Sequence, residues 1–397
     1  MRRLKIGIRG PLAAYLPGVC AALDTRGYTR LSIRNLARVL AHLSGWLADR
    51  QLGARDLNRE TIERFAQDRR AAGYTGHRFA SSLEPVLEYL RAVDAAPPLE
   101  PLPRVPTAND ATLEAYRSYL IRERGLAPAT IRFYLRVARA VVPVDGDLTR
   151  LTAHTVTRGI LGVSHQYGVA FTKYWVSAVR ALLRYLFVRG EIAVDLTGAI
   201  PAVAGWRLTS LPQDLDPAVV AQILRACDGR THDGRRARAA VLLMVRLGLR
   251  VGEVAALQLE DVDWTAGEIV IHGKGRRTDR LPLPMDVGAA LAAYVRRSRP
   301  RTQSRILFLG VRAPHGPTGS AALQSAVRAA CRRAGVPEIG THRLRHTAAS
   351  QMLRRGSSLS EIAQVLRHRH LTTTAIYAKV DRVALRELAR PWPGGAL

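Results

Sequence analysis

Apolar residues recur at three- and four-residue spacing along much of the chain, the mark of amphipathic helices. Leu36, Val39, Leu40 and Leu43 fall on one helical face, while Arg34 and Arg38 share another at i, i+4. Val176, Leu183 and Leu186 form a comparable stripe beside Lys173, Arg180 and Arg184. One stretch breaks the pattern. Glu268-Ile269-Val270-Ile271-His272 alternates and is β-branched, Gly273-Lys274-Gly275 is turn chemistry, and Arg280-Leu281-Pro282-Leu283 reads as a short partner strand. The expected fold is therefore mainly α, with a small antiparallel β-sheet inside the last segment.

Two proline-rich stretches punctuate the pattern, Ala96 to Pro106 and Ile200 to Pro212. Neither can be helix or central strand, so both read as linkers. Three segments result: 1–96, 107–200 and 213–397. The first two read as copies. Arg26-Gly27-Tyr28 with Ser32-Ile33-Arg34 returns as Arg124-Gly125-Leu126 with Thr130-Ile131-Arg132, and Arg38 returns as Arg136. Asp56-Leu57-Asn58-Arg59 returns as Asp147-Leu148-Thr149-Arg150, and Leu87-Glu88-Tyr89-Leu90 as Leu183-Arg184-Tyr185-Leu186. Ser32 and Thr130 are placed to cap the repeated Ile-Arg helix. Tandem small helical domains are expected.

Charge adds a partner to this picture. The 397 residues carry a formal net charge of +28, almost all of it arginine. Lysine occurs only at Lys5, Lys173, Lys274 and Lys379. Such an excess of cation repels itself unless a polyanion is near, and its spread along the chain suits grooves that track phosphates. Nucleic acid is the expected partner. Arg34, Arg38, Arg132, Arg136, Lys173, Arg180 and Arg184 are candidate DNA contacts on the helices, and Arg276 and Arg277 at the hairpin tip. A solvated helix in an arginine-rich protein would look the same. Cys20, Cys227 and Cys331 are too few and scattered for a disulfide framework or zinc site, and suit a reducing cytosol. No apolar run approaches the ~20 residues of a membrane helix. The residues up to Leu23 begin like a signal peptide, but Pro11 and Pro17 interrupt the apolar stretch and no clean cleavage site follows.

Candidate chemistry lies in the third segment. Gly248 ends an apolar helix and leaves Arg250 at the start of the next, near free backbone N–H groups. In Thr341-His342-Arg343-Leu344-Arg345, His342 and Arg345 share a helical face while Leu344 turns inward. An imidazole and a guanidinium projecting together suit a phosphate. His368 precedes Tyr377 by nine residues, with a threonine run between that could cap a helix. His368 and His370 are weak metal candidates, because no Cys, Asp or Glu stands at ligand spacing.

Together these segments resemble the tyrosine recombinase (phage integrase) family. The family motif of arginine, hairpin lysine, His-x-x-Arg, a later His and tyrosine falls on Arg250, Lys274, His342, Arg345, His368 and Tyr377. The resemblance implies a catalytic domain over 213–397 and a helical, SAM-like core-binding domain over 107–200, with 1–96 a further DNA-binding domain of that kind. It implies site-specific recombination through a 3′-phosphotyrosyl link formed by Tyr377. Arg250 and Arg345 would clamp the phosphate, Lys274 protonate the 5′ oxygen, His342 assist proton transfer, and His368 hydrogen-bond the phosphate. No metal or other cofactor is implied. The implied partners are double-stranded DNA and three further protomers, identical or sister recombinases, on two duplexes in the bacterial cytoplasm, with Arg382 to Leu388 a helix that docks on a neighbour. The chain's ending resembles that of integrases borne on transposable elements. Arg367 departs from the glycine common before the histidine, and a local backbone adjustment is expected there. A type IB topoisomerase or a non-catalytic DNA-binding regulator are the alternatives.

Overall fold

The computed structural model describes residues 6–76, 79–98, 107–204, 214–273, 278–368, 370 and 373–380. The chain divides into two compact units, residues 1–99 together with 210–397, and residues 100–209. Three large hydrophobic cores, one of them in 100–209, and a smaller cluster of Ala349, Ile362, Leu366 and Tyr377 are present among the described residues of these units.

The first core is formed by α1 (Leu16–Thr25), α2 (Arg30–Ala48), α3 (Arg59–Ala71) and α4 (Glu84–Ala92). Leu36, Val39, Leu40 and Leu43 are all buried on the inner face of α2, as the periodicity predicts. The helix starts earlier than expected. Thr29 is its N-cap and accepts from the Ser32 N–H at 3.2 Å, so Ser32 lies inside the first turn. Trp46 Nε1 and Arg50 both donate to Asp68 Oδ2 at 2.8 Å, which ties α2 to α3.

Residues 100–209 hold α5 (Asp110–Arg122), α6 (Pro128–Val141), α7 (Ala153–Gln166) and α8 (Val169–Val188) around Tyr116, Leu120, Leu182, Leu183 and Leu186. Burying each of these leucines contributes roughly 2 kcal/mol. The order of elements repeats that of the first core. A single 3₁₀ turn separates the second and third helices in each, Ala54–Asp56 and Leu148–Arg150, at the repeated Asp-Leu pair. Here too the expected cap is displaced. Ala127 is the N-cap of α6 without a side-chain bond, Pro128 supplies the pre-set φ of the first turn, and Thr130 lies inside the helix.

The third core is built on α10 (His232–Arg246), which follows α9 (Pro217–Ala226). Ala239 through Val245 are all buried, so α10 is apolar on every side in its second half and must be enclosed. It packs against α12 (Met285–Arg297), α13 (Ser320–Ala334) and α14 (Thr341–Arg354). Between α10 and α12 come the short α11 (Val251–Ala256) and a sheet of order β1 (Val262–Asp263), β2 (Glu268–His272), β3 (Thr278–Pro282), all antiparallel. Ile269 pairs with Leu281 and Ile271 with Asp279, which turns both isoleucines into the core. The partner strand thus begins at Thr278 rather than Arg280 and ends at Pro282, because His272 keeps a partner in Thr278 across the turn. β1 was not expected from the pattern; two residues are too short to show alternation.

The short α15 (Leu359–Val365) packs on α14, and the 3₁₀ turn Ala375–Val380 packs on both. Most of each expected linker, the hairpin tip and the helix expected over Arg382 to Leu388 lie outside the described residues. No helix among those described is long and apolar enough to cross a membrane.

Candidate active site

A cleft of 1350 Å³ opens where α10 meets α11, beside the sheet, α14 and α15. Arg250, His342, Arg345, Arg367 and His368 line it, with Glu253, His272 and Asp279.

Backbone geometry places Arg250. Gly248 has φ +62°, the left-handed conformation that ends α10. A Cβ here would also stand 2.3 Å from Leu366 Cδ2, so glycine is required twice over. Arg250 is then the N-cap of α11. Its backbone N–H donates to Glu253 Oε2 and its Nη1 to Glu253 Oε1, both at 2.8 Å.

His342 and Arg345 project from the first turns of α14, and Leu344 between them is fully buried. Arg345 is only 5% exposed, and its guanidinium donates to the carbonyls of Gly248 and Leu366. It thereby joins the turn after α10 to the end of α15. Burial, then the Arg250 charge, lowers its pKa to about 10, so it stays protonated at neutral pH.

His368 follows Arg367 at the end of α15. Its Nδ1 is 2.7 Å from Thr374 Oγ1, which is wholly buried. The threonine run, expected to cap a helix, thus sends this hydroxyl to the imidazole. Burial and then the charges of Arg345, Arg250 and Arg367 hold the His368 pKa down at about 4. The ring is neutral at physiological pH and can both donate and accept a hydrogen bond.

Tyr377 stands apart from the cleft-lining residues. Its side chain is 2% exposed and packs with Ala349, Ile362 and Leu366. Its hydroxyl is 2.9 Å from His346 Nδ1, one residue beyond Arg345 on α14. Burial pushes the phenol pKa up, and the Arg345 charge works against that rise. Burial, then His342 and Arg345, lowers the His346 pKa. A neutral His346 is thus available as a proton acceptor for the phenol.

Arg367, just after α15, has a φ of +55°, the left-handed region that glycine adopts most readily. That conformation costs an L-residue roughly 1–2 kcal/mol. The side chain compensates through contacts: Nη2 donates to Glu253 Oε2 and Nη1 to the Val365 carbonyl, both at 2.8 Å. Burial would push the Glu253 pKa up, but the Arg250 backbone N–H and the Arg367 charge outweigh it and the pKa falls. Glu253 is therefore an anion between two guanidiniums.

Residues 213–383 match the phage integrase family, a span that includes every residue of the cleft. A Sinorhizobium fredii protein named as an integrase/recombinase, y4rA, is 40% identical over 395 residues, which is 98% of this chain and 96% of y4rA. The chain belongs to the phage integrase family. Tyrosine recombinase XerC of Azotobacter vinelandii is 30% identical over 295 residues, 68% of this recombinase and 92% of XerC. Among solved structures, XerH site-specific recombinase bound to a palindromic difH substrate matches with a TM-score of 0.54 at 18% identity, over 82% of this chain and 93% of its own. A lambda integrase dimer bound to a core site matches at 0.53 and 18%, over 72% and 98%. The mainly helical fold with a small antiparallel sheet is shared with them.

The recombinase thus gathers four of the six motif residues, Arg250, His342, Arg345 and His368, in one cleft, and sets Tyr377 behind it on His346. Lys274, Arg276 and Arg277 lie outside the described residues, although Gly273 and Asp279 on either side line the cleft. Arg34, Arg38, Arg132, Arg136, Arg180 and Arg184 are exposed on their helices, and Lys173 is half-buried. Sequence reasoning passed over Glu253, His346 and Thr374. Glu253 was detectable as an acidic residue three positions after Arg250, a spacing that lets a side chain return to the N-cap. His346 carried no such signal.

Proposed function

We propose that this recombinase cuts and rejoins double-stranded DNA at specific sites through a transient bond between Tyr377 and a 3′-phosphate. The observation that carries the reading is the convergence of the Arg250 and Arg345 guanidiniums with the His342 and His368 imidazoles in one cleft, and of the buried Tyr377 hydroxyl with the His346 imidazole beside it. A phosphodiester resists attack because it is anionic and its alkoxide leaves poorly. Arg250 and Arg345 would hold the non-bridging oxygens and stabilise the charge of the five-coordinate transition state. Neutral His368 would bond the phosphate, and His342 would assist proton transfer. His346 would take the phenol proton as Tyr377 attacks. Lys274 would protonate the departing 5′ oxygen, a task for a point charge of tunable pKa. The phosphotyrosine conserves the bond energy, so a second DNA 5′-hydroxyl can reverse the step without a nucleotide or metal.

The three large cores, one in each segment, support a reading as three domains, 1–96, 107–200 and 213–397, of which the first two would grip DNA through Arg34, Arg38, Arg132, Arg136, Lys173, Arg180 and Arg184, and the third through Arg276 and Arg277 as well. Solved relatives include a lambda integrase tetramer on a Holliday junction and a Tn1549 transposon integrase on circular-intermediate DNA. They favour a tetramer on two duplexes, acting for a mobile element. The test is a nicked suicide substrate drawn from DNA flanking the encoding gene. Wild-type protein should become covalently attached to the 3′ side of a defined position, and Tyr377→Phe should not. A Tyr377→Phe protein that still forms the adduct would sink the assignment. Relaxation of plasmids lacking a site would point instead to a topoisomerase.

A further inference from the structure

Glu253 presents a difficulty for the role of Arg250. A carboxylate held against a guanidinium makes a neutral pair, and a neutral pair is a poor clamp for a phosphate. The second guanidinium changes the balance. Arg367 reaches Glu253 Oε2 at 2.8 Å while the Arg250 guanidinium holds Oε1, with the Arg367 side chain 6% exposed and that of Glu253 9% exposed. The Arg250 side chain is 42% exposed and faces the cleft. One carboxylate between two guanidiniums leaves one net positive charge, and the solvent-facing member is Arg250. The buried Arg367 Nε has no acceptor among the described residues, so the guanidinium is oriented for Glu253 and the Val365 carbonyl at the expense of its own remaining donor.

Resting on the recombinase reading above, we propose that Arg367 is a positioning residue for phosphate binding: it engages Glu253 through Oε2, offsets that carboxylate's charge, and so leaves a net positive charge on Arg250 towards the cleft. The same arrangement accounts for a non-glycine residue in a left-handed conformation, because the side chain does at this site what a glycine cannot. It also adds to the positive field on His368, which is faced by Arg345, Arg250, Arg367 and His346 and hydrogen-bonded to Thr374.

The proposal is tested with full-length Arg367→Gln, Arg367→Lys and the double variant Glu253→Gln/Arg367→Gln, all checked for unchanged melting temperature. Single-turnover cleavage of the suicide substrate should slow by roughly 10–100-fold in Arg367→Gln while DNA affinity stays within about twofold. Arg367→Lys should recover most of the rate. The double variant should cleave faster than Arg367→Gln, since removing the carboxylate charge frees Arg250 again; a purely structural role would make the double variant worse. An independent readout needs no DNA: ¹³C-labelled histidine NMR should show the His368 titration moving up in Arg367→Gln. Wild-type-like cleavage by Arg367→Gln, or further loss in the double variant, would overturn the proposal. Failure of the wild-type protein to form any adduct would count against the recombinase mechanism instead, while an unmoved His368 titration would count against Arg367 alone.

Discussion

His368 shows how burial and neighbouring charge set the working state of a single residue. Burial and three arginines hold its pKa at about 4, against 6.5 in an open chain. Between those values the unfolded chain binds a proton that the folded protein refuses, so stability is full above about 6.5 and is lost as pH falls towards 4. His346, lowered by burial and by His342 and Arg345, adds to the loss in the same direction. Thermal melts across this window should show a falling midpoint, with a shallower fall in His368→Asn. An identical slope in the variant would mean that His368 is not held neutral in the folded state. The sequence made His368 visible because it stands nine residues before Tyr377, within an ordered set of six. It could not show the imidazole's charge state, which depends on Arg345, Arg250 and Arg367 arriving from other parts of the chain. His346 was invisible for a related reason. Next to Arg345 on one helix, it points at a residue 31 positions later, and nothing in local spacing records that meeting.

At the scale of elements, the turn between α10 and α11 carries more than its length suggests. Its carbonyl at Gly248 anchors Arg345, its left-handed φ sets the direction of α11, and α11 begins with Arg250. Gly248→Ala should therefore cost about 2–3 kcal/mol, from left-handed strain and from crowding a well-packed Leu366. Because Leu366 also offers its carbonyl to Arg345, the damage should reach the cleft. Urea unfolding would measure the first effect, and cleavage slowed more than DNA binding the second. An unchanged unfolding free energy would show that the turn tolerates a side chain. Elements of this kind were partly legible. Gly248, the β2 alternation and the α2 stripe are local patterns with local causes. The helix starts at Thr29 and Ala127 were not, because a threonine three residues earlier and a proline in the first turn outcompeted Ser32 and Thr130 as caps. The strand edge at Thr278 was set by pairing with His272 rather than by its own composition.

For the whole molecule, the charge of +28 becomes a quantitative statement about binding. If the recombinase grips DNA by its phosphates, each contact releases a counterion and affinity falls linearly with salt on logarithmic axes. A grip of about six to ten phosphates would cost roughly 10³–10⁵ in affinity between about 50 and 200 mM salt. Arg132 and Arg136 lie exposed on one face of α6, without an ion pair to a carboxylate among the described residues, so their charges are available to solvent or to phosphate. Replacing both by glutamine should weaken binding to any DNA sequence and make the salt slope shallower by roughly two. The duplicated order of helices predicts the same kind of change, about two fewer released ions, for Arg34 and Arg38 on α2. The two pairs can be separated by titrating a bare core site against one with long flanks. A loss seen only with flanks would assign the first helical copy to outlying DNA, and a loss on both would place it in the core grip. A salt slope unchanged in all variants would show that these exposed arginines are merely solvated, and that the phosphate contacts must be sought elsewhere on the chain.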